Sequence, residues 1–129
     1  MPVVKSFGSV KVISIDKKEL MEKLKKIRDT IKREETEVID IRIFGSIAKN
    51  EETGTSDLDI LITLKKSEET PLKRILKYRK YFNLGIPVDI LVYTEDEIEK
   101  MVKEDNFFIK NILKESISIF FNYKLTLVF

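Results

Sequence analysis

The sequence predicts an α/β (α+β) domain in which a small mixed β-sheet is packed with helices. Two observations carry that prediction. Three short runs, Val38 to Phe44, Asp57 to Leu64 and Val88 to Tyr93, are β-branched, apolar and of strand length. Around them lie longer stretches with apolar residues every three to four positions, opened by capping residues. No internal repeat, low-complexity tract or linker divides the chain, so residues 1–129 are expected to form one domain.

Taken in order, residues 1–15 hold a short alternation at Val10, Val12 and Ile15 after Gly8, which reads either as an extra edge strand or as a loosely held arm. Asp16 is an N-cap, with Glu19 completing a capping box, and Leu20, Leu24, Ile27 and Ile31 form the apolar stripe of an amphipathic helix. The first core strand sets Val38, Asp40, Arg42 and Phe44 on one face and Ile39, Ile41 and Ile43 on the other. Gly45-Ser46 follows, with Ser46 capping a short helix through Lys49. Glu51 to Thr55 is loop, and Ser56 opens the strand Asp57 to Leu64. Pro71 suits the first position of a helix carrying Leu72, Ile75, Leu76, Arg79 and Phe82, which Gly85 caps. Pro87 opens the third strand. Thr94 begins a further capping box, and the helix after it breaks near Asp105-Asn106 before a second helix at Phe107 to Glu115. The apolar end of the chain, within 107–129, reads either as the closure of the core or as a surface for a partner or a second copy of the chain.

Composition removes several kinds of chemistry. With no Cys and no His there are no disulfides, no thiolate or imidazole zinc sites, no Cys nucleophile and no His base. Reaction chemistry must therefore run on carboxylates, hydroxyls, lysines and a metal. The 24 basic and 22 acidic side chains nearly cancel, which gives no bias toward polyanions, so direct nucleic-acid binding is not expected. No apolar run reaches membrane-spanning length and no leader pattern opens the chain, so a cytoplasmic location and no membrane contact are expected.

The chemistry-bearing residues concentrate between Phe44 and Ile62. Asp57 and Asp59 are two apart on a strand, so they share a face with Cβ atoms about 7 Å apart. Two like charges so placed repel unless a cation lies between them, and carboxylate oxygens are the ligands that Mg²⁺ prefers. Gly45 lets backbone amides approach a ligand where a Cβ would obstruct, and the free amides after Ser46 favour an anion. Lys49, in a first helical turn, opposes the helix dipole and fits better with a phosphate bound. A phosphate cradle beside a metal site is the minimum equipment for phosphoryl or nucleotidyl transfer.

Gly45-Ser46, ten intervening residues, then Asp57-Leu58-Asp59 resembles the signature of the polymerase-β-like nucleotidyltransferases. GSIAKNE and SDLDILI resemble most closely the short minimal nucleotidyltransferases of HEPN–MNT toxin–antitoxin pairs. Lys49 stands where that family usually has Arg, and Asn50 where it usually has Gly; neither change removes a metal ligand. The resemblance implies a nucleotidyltransferase fold and transfer of AMP from ATP to an acceptor hydroxyl. In that scheme Asp57 and Asp59 hold two Mg²⁺ ions, while Asp89 completes the acceptor-side ion and helps deprotonate the hydroxyl. Gly45, Ser46 and Lys49, with Ser56, bind the substrate. The implied acceptor is a tyrosine of a partner HEPN-type toxin.

Two other readings stand beside it: a non-catalytic module that neutralises its partner by contact, and transfer to a small molecule or an RNA end. Asp89 has its own alternative. A lone carboxylate in VDILVY must be solvated, metal-bound or paired, and a salt bridge to a lysine or arginine such as Arg42 would serve.

Overall fold

A computed structural model of the chain describes residues 2–7, 10–15, 17–45 and 58–121, the first two stretches as backbone only. The strands are β1 (Pro2–Phe7), β2 (Val10–Ile15), β3 (Val38–Phe44), β4 (Leu58–Leu64), β5 (Val88–Thr94) and β6 (Ile117–Ser118). Among the described residues there are four helices: α1 (Lys17–Glu34), α2 (Pro71–Arg79), α3 (Glu95–Lys103) and α4 (Phe107–Glu115).

The main sheet has the order β5-β4-β3-β6, with β4 parallel to β5 and the other pairs antiparallel. A parallel pair requires a crossover, and the segment carrying α2 supplies it. The sheet is therefore mixed, and the fold is α+β. β1 and β2 form a separate antiparallel hairpin, more than the single edge strand or arm expected from the alternation around Val10.

Alternation along the strands divides the core in two. Ile41, Ile43, Leu58, Ile60, Ile62, Ile90 and Val92 face α1 and Tyr78 of α2. On the other face Leu61, with Phe44, Leu91 and Tyr93, packs against Ile109 and Ile112 of α4 and Ile98 and Met101 of α3. Each fully buried Leu or Ile contributes about 2 kcal/mol, so a one-residue slip of β4 would be heavily penalised. The expected alternation of β3 fails at one end. A register shift between Val38 and Asp40 turns Val38 into the core with Ile41, where strict alternation places it opposite.

α2 is also shorter than expected. It begins on a Thr70 cap with Pro71 in the first turn, but it ends at Arg79, with Lys80 rather than Gly85 at the C-cap. Gly85 instead takes φ +74° in the turn before Pro87. The apolar stripe is misassigned as well: Leu72 and Leu76 are 66% and 56% exposed, while Arg74 and Tyr78 are buried. A charged residue occupies that face because it is fully engaged. Arg74 donates to both Glu97 carboxylate oxygens at 2.6 and 3.3 Å, to Ser67 Oγ, and to the Glu69 and Val92 carbonyls.

α3 starts where expected, on a complete Thr94–Glu97 capping box. The expected break falls at Asp105, whose φ of +56° turns the chain so that Asn106 caps α4. After α4 the chain closes one sheet edge. β6 pairs with Arg42 and Ile43, and Ile119 enters the core. Arg28 of α1 is buried and donates to the Ile119 carbonyl at 3.1 Å. Phe120 packs on the core with Lys32 Nζ 4.5 Å from its ring centroid, whereas Phe107, Phe108 and Phe121 remain exposed.

Candidate active site

The register of the sheet places Phe44, Asp59 and Asp89 in one row across β3, β4 and β5. Asp59 and Asp89 each precede by two positions a residue of the face covered by α3 and α4, namely Leu61 and Leu91, so both carboxylates belong to that face. They are the second residues of β4 and β5, after Leu58 and Val88. Asp59 is half-buried and Asp89 exposed. Neighbouring strands are about 4.8 Å apart, which brings the two carboxylates within reach of a common ligand.

Gly45 lies directly against Asp59. Its φ is +80°, and a Cβ added there would overlap Asp59 Oδ2 and sit 3.1 Å from Cγ. Only glycine lets β3 end so close to that carboxylate. The candidate site is thus a row of two acidic groups with bare backbone beside one of them.

Of the residues singled out by sequence, the structure brings together Gly45, Asp59 and Asp89; Ser46, Lys49, Ser56 and Asp57 lie outside the described residues. Arg42, the example of a cationic partner for Asp89, is engaged elsewhere: its guanidinium donates to Asp40 Oδ2 at 2.8 Å and to Ser116 Oγ at 3.0 Å. Ser118 Oγ donates to the other Asp40 oxygen, so the charge on β3 is met within the β3–β6 edge.

No group of three or more metal-ligating side chains occurs among the described residues. Asp59 and Asp89 alone nevertheless suit a hard divalent cation. They are oxygen donors of like charge, side by side in register, with the Asp59 carboxylate packed against the bare backbone of Gly45.

A hollow opens at each end of the row. At the outer edge of β5, toward the side of the sheet that α2 covers, Asp89, Val88 and Ile90 with Ile75 and Arg79 of α2 line about 220 Å³. Beyond β3, Phe44 and Gly45 with Phe108, Asn111, Ile112 and Glu115 of α4 enclose about 180 Å³. Sequence reasoning missed both walls, because they are built from helix positions with no motif of their own.

Comparison with known proteins agrees with this architecture. The model of the nucleotidyltransferase domain family matches residues 24–119. A crystal structure of a candidate nucleotidyltransferase from Sulfolobus solfataricus superposes with a TM-score of 0.57 at 23% identity, over 78% of each chain, and so shares the fold. Among curated proteins, none matches. The family match defines a class of transferase that moves nucleotidyl groups. The chain belongs to the nucleotidyltransferase domain family.

Proposed function

We propose that the protein transfers AMP from ATP to an acceptor hydroxyl, releasing pyrophosphate, and that the acceptor is a tyrosine of a partner HEPN-type toxin that it thereby silences. The observation that carries the transferase reading is the in-register pair Asp59 and Asp89 beside a glycine that has no room for a side chain.

Asp59 and Asp89, with Asp57, would hold Mg²⁺, which when bound supplies charge neutralisation for the phosphates and the leaving group. The residues of the chain do the rest. Gly45 lets a phosphate approach the end of β3, with Ser46 and Lys49 as further phosphate ligands. The acceptor oxygen attacks the α-phosphorus, its new O–P bond forming as the bond to pyrophosphate breaks. Asp89, the more exposed carboxylate and the one nearest the outer hollow, accepts the hydroxyl proton.

The preference for a tyrosine acceptor on another protein rests on the resemblance of GSIAKNE and SDLDILI to the minimal enzymes of toxin–antitoxin pairs. The test is incubation with α-labelled ATP, Mg²⁺ and the protein encoded by the neighbouring gene. Label should pass to a tyrosine of that protein with wild type and not with Asp59→Asn. Equal labelling by both would overturn the reading.

A further inference from the structure

The two hollows at the ends of the carboxylate row are chemically different, and the difference bears on which way a nucleotide lies across it. The hollow beyond β5 holds Arg79 and Asp89. The hollow beyond β3 is walled by one side of α4: Phe108, then Asn111 and Ile112 one turn on, then Glu115 after a second turn. Phe108 is 57% exposed although Ile109 beside it is buried completely. Asn111 is exposed one turn along from the ring. The combination of an aromatic face, a side-chain amide and the apolar edge of Phe44 suits a flat, uncharged heterocycle with a hydrogen-bonding rim.

We infer that this hollow is the nucleobase subsite, with Phe108 stacking on the base and Asn111 reading its edge, so that Phe108 and Asn111 determine which nucleoside triphosphate is accepted. The inference rests on the transferase reading above and extends it. The base then sits over β3 and α4, the phosphates pass Gly45 toward Asp59, and the β5 end with Asp89 is left open for the acceptor. An amide presents both a donor and an acceptor, which matches the donor–acceptor edge of adenine.

Equilibrium binding of ATP, GTP, CTP, UTP and inorganic tripolyphosphate, each with Mg²⁺, to wild type, Phe108→Ala and Asn111→Leu tests it. Phe108 is a surface residue, so its replacement should leave the melting temperature near wild type. Phe108→Ala should weaken ATP about tenfold, the scale of one base stacked on one ring, and leave tripolyphosphate unchanged. Asn111→Leu should flatten the ratio among the four nucleotides. Wild-type affinities for all four nucleotides in both folded variants would overturn the subsite while leaving the transferase reading intact. Failure of wild type to bind any nucleotide would remove both.

Discussion

Gly45 and Asp59 constrain one another, and this contact is the sharpest statement the site makes about single residues. Gly45→Ala would strain a backbone at φ +80° by roughly 1 kcal/mol and drive its methyl into the Asp59 carboxylate. Transfer should fall at least a hundredfold while thermal unfolding moves by only a few degrees, a split that kinetics and calorimetry would register together. Asp59→Asn should abolish transfer with the fold kept or slightly stabilised, since one of two neighbouring negative charges is gone. Asp89→Asn separates two roles. With Arg42 committed to Asp40, loss of the Asp89 charge should not lower the melting temperature, ATP should still bind, and kcat should drop by orders of magnitude. A lower melting temperature with normal turnover would take Asp89 out of the reaction.

At the scale of elements, the end of β5 is fixed by a group outside the site. Glu97 caps α3 through Thr94 and accepts from Arg74, joining helices on opposite faces of the sheet. Burial works against its charge, but the hydrogen bonds from Arg74 and Thr94 outweigh it and hold the carboxyl below the usual range. A carboxyl with a lowered folded pKa stabilises above its unfolded value and loses that contribution as pH falls through the folded one. Stability should therefore decline on the acid side, and Glu97→Gln should flatten that limb at a cost of about 2 kcal/mol at neutral pH. Chemical denaturation between pH 3 and 7 would show both effects. The segment after α4 is likewise structural along part of its length. Phe120→Ser should destabilise by roughly 2 kcal/mol because Phe120 packs on the core, whereas Phe121→Ser should cost little. Light scattering on the same two variants would show whether that end also holds copies of the chain together.

For the molecule as a whole, what could be read in advance was local chemistry with a strong period or a cap. The three core strands, the capping box at Thr94, the break at Asp105 and the helix after it all follow from side chains interacting with their own neighbourhood. What could not be read depends on partners distant in sequence. Arg74 and Arg28 look like surface cations until Glu97 and the Ile119 carbonyl are placed beside them, and Leu72 and Leu76 look like core until Tyr78 takes that position. The shift at Val38 has no local marker, because it answers to Leu64 across the ladder. The site divides in the same way. Gly45, Asp59 and Asp89 were visible as motif residues, while Phe108 and Asn111 became visible only when α4 was laid over the end of β3.

The parallel pairing of β4 and β5 has a consequence for how such a chain can change. The spacing of Asp59 and Asp89 is set by the ladder between two strands, and the 23 residues from Lys65 to Pro87 that link them do not enter into it. The loop that opens the link, Lys65 to Thr70, can lengthen without moving either carboxylate, since doubling a flexible loop costs only about 0.6 kcal/mol. Lys65 and Lys66 are both exposed at its start, so a graft of several glycine and serine residues between them should leave catalysis intact. The crossover is the region where acceptor-recognising modules could be acquired or exchanged while the reacting centre is inherited unaltered.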